Sequence, residues 1–327
     1  MKAILCHSYG PIENLTYGAI ADPVAGPQEV VIKVHAAGVN FPDVLLVQGL
    51  YQSQPQFPFS PGAEVAGVVA EVGEGVSQFE KGDRVAAYLH YGGFAEKVKV
   101  PVKQCTHIPV QLSFEVASSF LVTYGTAFHA LKDRAKIKPE ERLAVLGAAG
   151  GVGLAAVELG HKLGADVTAC ASSDQKLELT RNYGANATVN YNNEDLGAAL
   201  KKVGGSQGID VVLDPVGGDL AEMAFRSLGY NGRYLVVGFT AGKIPKIALN
   251  LPLLKIASLV GVFWGRWMRM FPEEAAINHH QLVKWIASGE LKPMIQRTYP
   301  LKEAVDAMLW LQERKAMGKV VIQVYNP

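Results

Sequence analysis

Short apolar runs and amphipathic segments alternate regularly through the second half of the chain. Residues 143–146 form an apolar run of the kind that makes a buried parallel strand. After a glycine-rich turn, apolar residues recur at intervals of four, three and four from Val152 to Leu163, which places them on one face of a helix. The same order continues with predicted strands at 166–171, 187–189, 209–214 and 232–237, separated by predicted helices at 174–183, 195–203 and 220–228. Such alternation is typical of a doubly wound parallel sheet.

The first 110 residues follow a different pattern, rich in short β-branched and apolar runs. Glycine and proline cluster between these runs, as at Gly26-Pro27 and Pro61-Gly62. Strands are predicted at 3–6, 30–35, 65–72, 84–89 and 94–100, with a proline-broken turn at 40–43. This spacing predicts a partly open β-barrel.

The segments on either side of the alternating region indicate how the chain is divided into domains. Residues 113–135 turn helical and lead into the glycine-rich turn, and a last strand of the sheet is predicted at 259–263. The remaining tail, with predicted helices at 273–288 and 301–313 and a strand at 319–324, is too small for a domain of its own. We therefore predict a substrate domain of residues 1–123 and 267–327, a nucleotide-binding domain of residues 124–266, and an active site in the cleft between them.

Composition narrows the class of protein. The chain has 327 residues, 49% of them hydrophobic, and a net charge of +1, so it can bury a large core and carries no charge bias towards nucleic acid or anionic membranes. We find no apolar run long enough to span a bilayer and no signal-peptide core. Three widely separated cysteines are unlike a disulfide framework, so we expect a cytoplasmic protein.

The glycine-rich turn at 147–153 has the features of a dinucleotide site. Ala148, Gly150 and Gly153 occupy the three small-residue positions of the fingerprint, with alanine in place of the first glycine. Small residues let the chain turn tightly and let the backbone approach a pyrophosphate at the start of a helix. Strand, turn, helix and second strand follow in order, which is the context that the motif requires.

The end of the second predicted strand indicates which coenzyme is bound. Where NAD-selective folds carry a carboxylate, this chain has Ser172 and Ser173, with Lys176 close behind. Hydroxyls and a cation suit a 2′-phosphate, which favours NADP over NAD. In the competing interpretation the serines cap the next helix and Lys176 is a solvated surface charge. Asp174, one step further on, is a carboxylate at the start of that helix.

Few residues of the first domain offer catalytic chemistry. Asn40 can hydrogen-bond to a nicotinamide ribose or satisfy its own turn, and Tyr51 can stack on a flat substrate or pack into the core. Glu64 has no cysteine or histidine near it in the sequence, so we expect no zinc site. The pair His279-His280 cannot share a helix face, and hydrolytic chemistry has no local support.

Five motifs together resemble one known family. They are A-A-G-G-V-G at 148–153, G-V-N-F-P-D at 38–43, P-G-A-E at 61–64, G-D-R-V at 82–85 and G-K-V-V at 318–321. The chain is similar to the zinc-free medium-chain dehydrogenases/reductases, in the zeta-crystallin-like branch of quinone oxidoreductases. The resemblance implies an α/β fold in which a Rossmann doubly wound parallel sheet is inserted into a GroES-like, partly open β-barrel domain.

The resemblance also implies positions for the NADP(H) site. Asn40 and Thr126 would contact the nicotinamide end, and Lys319 would approach the coenzyme from the C-terminal strand. Where zinc-dependent relatives carry a cysteine and a histidine ligand, this chain has Asn40 and Ala63. The other implied contacts are Gly150, Gly151 and Val152 at the pyrophosphate, Ser172, Lys176 and Tyr191 at the 2′-phosphate, and Phe239, Thr240, Val262, Phe263 and Trp264 around the nicotinamide.

The activity implied is quinone reduction by NADPH, with hydride or electron transfer in the absence of zinc. Positioning and exclusion of water would supply most of the rate, with Asn40, Tyr51 and Trp264 as the catalytic candidates and the two aromatic side chains as flat walls. The alternative is reduction of an enone, enal or acryloyl thioester, for which Tyr51 or a backbone N–H would stabilise the enolate. A lesser alternative is a non-catalytic NADPH-binding structural or sensor protein. Apolar segments at 244–254 and 259–263 predict a homodimer joined through the edge of the sheet.

Overall fold

The computed structural model describes residues 1–325, which form two compact units. The first unit combines residues 1–122 with the segment from residue 272 onward, and the second comprises residues 123–271. The domain boundaries that we derived from the sequence, near residues 123 and 267, remain a prediction. None of the helices within residues 1–325 combines the length and the apolar character needed to cross a membrane.

The helices and strands are numbered in chain order. Residues 1–120 contain β1 (Lys2–Leu5), β2 (Thr16–Ala19), β3 (Glu29–Val39), α1 (Phe41–Val47), β4 (Glu64–Val72), β5 (Arg84–Tyr88), β6 (Lys97–Pro101), β7 (Cys105–His107) and α2 (Phe114–Ala117). Residues 121–271 contain α3 (Leu121–Phe128), β8 (Arg142–Leu146), α4 (Gly151–Lys162), β9 (Asp166–Ala171), α5 (Asp174–Asn182), β10 (Ala187–Asn190), α6 (Leu196–Gly204), β11 (Ile209–Asp214), α7 (Leu220–Arg226), β12 (Leu228–Val236), α8 (Asn250–Lys255), β13 (Ser258–Gly261) and α9 (Trp264–Met270). The remainder contains α10 (Pro272–Ala287), β14 (Ile295–Pro300), α11 (Ala304–Gln312) and β15 (Lys319–Gln323). Single 3-10 turns lie at Ile12–Asn14, Val102–Gln104 and Leu301–Glu303, and a π-helical segment at His129–Ala135 follows α3.

The first unit is built around the long strand β3. Its residues Val30, Ile32 and Val34 are fully buried, and from Ile32 on they alternate with the half-buried Lys33 and His35, as expected for a strand with one face on a core. β3 pairs with β4, β6 and β15, and the sheet runs β14-β15-β3-β4-β5-β7 with β6 added on β3. The C-terminal strand therefore returns to the N-terminal sheet, as the small size of the tail led us to expect.

The residues after β3 begin a helix, and the expected proline-broken turn is absent at this point. Asn40 precedes α1 in an extended conformation, and Asp43 Oδ2 accepts the Asn40 backbone N–H at 2.8 Å. Pro42 lies in the first turn of α1, where a missing N–H removes no intrahelical hydrogen bond. The apolar pattern of the sequence does not predict the short strands β2, β7 and β14, which bury few side chains.

The second unit contains the parallel sheet predicted from the alternating pattern. Its strand order is β10-β9-β8-β11-β12-β13, and every pairing is parallel. Counted from β8, this is the order 3-2-1-4-5-6 of a doubly wound nucleotide-binding sheet, so that prediction is confirmed. β13, predicted at 259–263, lies at Ser258–Gly261 and forms one edge.

Candidate functional site

The carboxyl ends of the six parallel strands collect most residues that the sequence analysis assigned to the coenzyme. Parallel strands end at a common edge, and ligands of such sheets bind along it. The turn at 147–150 follows β8 and the serine pair at 172–173 follows β9. The other predicted residues on this edge are Tyr191 after β10, Phe239 and Thr240 after β12, and Val262, Phe263 and Trp264 after β13. The fold of the second unit therefore brings to one edge residues that are more than a hundred positions apart in sequence, from Gly147 to Trp264.

The glycine-rich turn is as tight as the dinucleotide motif requires. Gly147 has φ +57°, and Gly150 is the extended residue before α4, so Gly151 and Val152 are its first helical residues. A Cβ atom on Gly153 would lie 2.2 Å from the Gly147 carbonyl oxygen, so only glycine allows α4 to approach the turn this closely. The first-turn N–H groups of a helix have no intrahelical partner, and together with the helix dipole they suit a pyrophosphate.

The turn after β9 contains both features that the sequence left as alternatives. Ser173 Oγ accepts the backbone N–H of Lys176 at 3.4 Å and so caps α5. Ser172 Oγ lies 3.5 Å from the Lys176 ammonium, which gives a hydroxyl and a cation side by side. Capping and anion binding are compatible here, because both use the start of one helix. Tyr191 follows on the neighbouring strand, where its N–H donates to the Ala171 carbonyl at 3.1 Å.

Helix α3 and the segment after β13 pack tightly against each other within the second unit. A Cβ atom on Gly125 would lie 2.8 Å from the Trp264 indole, so the absent side chain makes room for this ring beside Thr126. Trp264 is only 4% exposed, whereas Phe263 is 47% exposed and Val262 is buried. The role of Trp264 as a substrate wall stays a prediction, and Phe263 is the more accessible aromatic side chain of the pair.

The loops after β11 and β12 are tied together by groups that the sequence analysis did not single out. Asp214 Oδ1 accepts the N–H groups of Val216 and Gly217 at 2.7 and 2.8 Å, and its other oxygen accepts the Tyr234 hydroxyl. The N–H of Thr240 then donates to the Pro215 carbonyl at 3.1 Å. Burial raises the pKa of Asp214 and that of Tyr234 above their usual values. This carboxylate therefore shapes the loop on which the Phe239–Thr240 segment rests.

In the first unit, Asn40 and Lys319 belong to a buried network of charged and polar side chains. The Lys319 ammonium donates to Asn40 Oδ1 at 2.7 Å, Glu64 Oε2 at 3.0 Å and the Val39 carbonyl at 3.2 Å. Asn40 Nδ2 donates to Glu64 Oε2 at 3.1 Å and to the Gly38 carbonyl at 3.2 Å. The side chains of Lys319 and Glu64 are 4% and 0% exposed. The three donor positions of the ammonium and both amide hydrogens of Asn40 therefore have partners.

The sheet explains why these residues meet. Gly38 is paired with Glu64 across β3 and β4, and Val39 is paired with Val320 across β3 and β15. The end of β3 thus adjoins the starts of two strands that are distant in sequence. A Cβ atom on Gly38 would lie 2.1 Å from the Ser118 carbonyl and 2.9 Å from Glu64 Oε2, so this position must be glycine for the network to fit.

Two further residues of the first unit, Asp43 and Tyr51, are buried and half-buried. Asp43 is 1% exposed, and burial raises its pKa to about 7 although the N–H of Asn40 and the ammonium of Lys319 act against the rise. Tyr51 follows α1 and packs, half-buried, against the apolar core of the first unit. From the sequence, Glu64 is considered only as a candidate metal ligand, which is rejected, and Asp43 only as part of a motif.

The donor groups of the residues that the structure describes do not gather into a metal centre. Within residues 1–325, no group of three or more histidine, cysteine, aspartate or glutamate side chains is arranged to hold an ion. Cys6 and Cys170 are buried and Cys105 is half-buried, and all three are free thiols.

Two family models match successive parts of the chain. The model described as an alcohol dehydrogenase GroES-like domain matches residues 26–110, which lie in the first unit. The model described as a zinc-binding dehydrogenase matches residues 151–278, which begin at the first residue of α4.

Similarity to individual proteins extends over nearly the whole chain. Quinone oxidoreductase-like protein 2 of Bos taurus is 40% identical over 299 residues, which are 91% of this chain and 86% of the bovine protein. The crystal structure of an Escherichia coli quinone oxidoreductase complexed with NADPH superposes with a TM-score of 0.94 at 29% identity, covering 99% of this chain and 100% of the other. The CurK enoyl reductase structure gives a TM-score of 0.88 at 29% identity, covering 98% of each chain.

Proposed function

The chain belongs to the quinone oxidoreductase branch of the medium-chain dehydrogenase/reductase family and is an oxidoreductase, and we propose that it reduces quinones with NADPH and without zinc. The observation that carries the proposal is the Ser172–Lys176 pair at the end of β9, in a chain whose relatives include quinone oxidoreductases. A hydroxyl beside an ammonium suits a 2′-phosphate better than a ribose hydroxyl pair.

The residues of the second unit fit NADPH. Gly150, Gly151 and Val152 offer the turn and the helix start for the pyrophosphate, and Gly153 permits the required close approach. Ser172 and Lys176 suit the 2′-phosphate, with Tyr191 on the neighbouring strand. When bound, NADPH supplies the hydride. The protein supplies binding, orientation and exclusion of water.

The buried network of the first unit supports a positioning role for Asn40. Its side-chain amide has a fixed orientation, because Lys319 holds the oxygen and Glu64 holds the nitrogen. A second lone pair on the amide oxygen is left to accept from a ribose hydroxyl. Lys319 then acts through Asn40 and donates to no substrate atom, since its three donor positions serve the protein.

Reaction without zinc is part of the proposal. Asn40 and Ala63 occupy the positions that carry zinc ligands in zinc-dependent relatives, and an amide and a methyl group are poor ligands for zinc. A quinone suits such a site, because the negative charge of its reduced form is spread over the ring and needs no metal to stabilise it. Tyr51 and Trp264 are proposed as flat walls for that ring.

A second candidate is reduction of an activated alkene, which the similarity to CurK enoyl reductase favours. A coenzyme A thioester would need a cationic groove in addition. Lys97 and Lys99 on β6 and Lys103 in the turn after it are the candidates for it, but the first two already pair with Asp22 and Glu29. We therefore rank quinone reduction first.

The deciding experiment follows NADPH absorbance with 1,4-benzoquinone and naphthoquinones, beside an enone, an enal and acryloyl-CoA, with NADH as the control. Faster turnover of quinones with NADPH is expected. Tyr51→Ala and Trp264→Ala should each raise KM for the quinone, whereas Tyr51→Phe keeps the ring and should leave it unchanged. Unchanged kinetics in both alanine variants would rule out the wall assignment. Preference for the alkenes would support the second candidate. Saturable NADPH binding with no turnover would favour a binding protein.

We also propose that the protein is a cytoplasmic homodimer. β13 lies at the edge of the parallel sheet, where its backbone groups are open to pairing with another strand. The segment before it exposes large apolar side chains, with Leu249 79%, Leu253 77% and Ile256 66% accessible, and Leu259 on β13 itself is 42% accessible. A second copy that adds its own β13 would cover both features.

A further inference from the structure

Asn190, the last residue of β10, holds the turn after β10 to the start of α5. It pairs with Ala171 at the end of β9 and is 7% exposed. Its Nδ2 donates to Asp174 Oδ1 at 2.8 Å, and its Oδ1 accepts the Asn192 N–H at 3.2 Å. Its own backbone N–H donates to Glu194 Oε1 at 3.2 Å. One buried side chain thus fixes a carboxylate on α5 and the turn that follows β10.

Asp174 is the carboxylate that matters for coenzyme choice. It is the first residue of α5, directly after the two serines, and it is exposed. In sheets of this kind a carboxylate near the end of the second strand accepts the ribose hydroxyls of NAD, and it would repel a 2′-phosphate. Here Asp174 Oδ1 accepts a hydrogen bond from the side-chain amide of Asn190, which is the last residue of the neighbouring strand β10.

We propose that Asn190 is a specificity-determining residue, which anchors Asp174 on β10 and so leaves the Ser172–Lys176 pair to a 2′-phosphate. The inference rests on the proposed use of NADPH. It concerns a residue that is not among those expected to contact the coenzyme. Without the amide of Asn190, the Asp174 carboxylate loses the hydrogen bond that holds it on β10. We expect the released carboxylate to compete with a 2′-phosphate for the Lys176 ammonium and to repel the phosphate. Glu194 stays where it is, because its partner is a backbone N–H.

The test compares dissociation constants for NADPH and NADH, from quenching of protein fluorescence, in wild type, Asn190→Ala, Asp174→Asn and the double variant. The fragments 2′,5′-ADP and 5′-AMP repeat the comparison without a nicotinamide and without turnover. Asn190→Ala should reduce the preference for NADPH about three- to tenfold, as expected for one like charge near a partly exposed phosphate. Asp174→Asn should restore it in the double variant and change it little alone.

The matched control is Asn193→Ala, an exposed asparagine of the same turn, which should leave both dissociation constants unchanged. If Asn190→Ala does not fold, Asn190→Ser removes the same amide and is subject to the same test. An unchanged NADPH preference in the Asn190 variant would overturn the inference, and so would a loss that Asp174→Asn does not restore. A wild-type protein that binds NADH as tightly as NADPH would instead overturn the proposed coenzyme.

Discussion

Replacing Lys319 with methionine tests whether the buried network stabilises the first unit. Methionine has a similar length but removes the ammonium. Glu64 is fully buried, and among residues 1–325 it then keeps only the Asn40 amide at 3.1 Å and the Val122 N–H at 3.1 Å as donors. The variant therefore leaves a carboxylate buried without a compensating charge.

The expected loss is about 3–5 kcal/mol in the free energy of unfolding, the usual cost of removing one partner from a buried ion pair. For a unit of this size, each kcal/mol lowers the melting temperature by about 2–4 °C, so we expect a fall of about 6–20 °C. Glu64→Gln in the Lys319→Met background removes the unpaired charge and should recover most of the loss, because the two effects are coupled through one contact.

The assay is equilibrium unfolding in urea, supported by thermal melts, of the wild type and the two variants. Lys315→Met is the matched control, because that lysine pairs with Glu313 on the surface and both side chains are 52% exposed. Exposed pairs contribute little, so the control should unfold like the wild type. A loss below about 1 kcal/mol for Lys319→Met would refute the reasoning, because it would mean that water or a rearranged side chain satisfies Glu64 in the variant.

Two further predictions concern Asp43 and the sheet edge. The pKa of Asp43 is raised to about 7, so the folded state keeps a proton that the unfolded chain releases near pH 4, and the stability of the wild type should fall as pH rises between these values. Asp43→Asn should remove this fall, and denaturation at pH 5 and pH 8 checks it; equal pH slopes would contradict the assignment. Leu259→Glu on β13 should convert the proposed dimer to a monomer in light scattering at micromolar concentration, with little change in melting temperature. A wild type that is already monomeric would contradict the dimer.

The sheet of the second unit could be predicted because its signal is local. Most of its strands contain a short apolar run, and the limits predicted for β9 and β11 agree with the structure to the residue. β12 is the exception, because it begins at Leu228, four residues before its predicted start, in a segment with little apolar character. The glycine-rich turn was recognisable for the same reason, since strand, turn and helix are adjacent in the chain. Strands such as β7 and β14 were missed because they bury few side chains and carry little apolar periodicity.

The partners of the site residues could not be predicted, because they are set by pairing between distant strands. Lys319 lies 279 positions from Asn40 and 255 from Glu64, and no periodicity connects them. Gly38 does not reveal the network from the sequence alone. Its importance follows from the close approach of Ser118 and Glu64, which only the structure shows. The error at residues 40–43 has a similar source. Asparagine and proline signal a turn or the first turn of a helix equally well, and the following apolar residues decide between the two.

A buried asparagine donates its side-chain amide to a carboxylate in each unit, namely Asn40 in the first and Asn190 in the second. Each ends or follows a strand, is at least nine-tenths buried, and donates its amide to a carboxylate: Glu64 in one unit and Asp174 in the other. Sequence analysis treats a lone asparagine as either a turn former or a ligand contact. A neutral amide can instead fix a neighbouring charge without adding one of its own. For Asn40 the proposed ligand contact would combine with this role, because Lys319 and Glu64 hold its amide and a lone pair remains on its oxygen. Asn190 is not among the residues expected to contact the coenzyme. Its variants therefore test the positioning of Asp174 without removing a direct contact with the ligand.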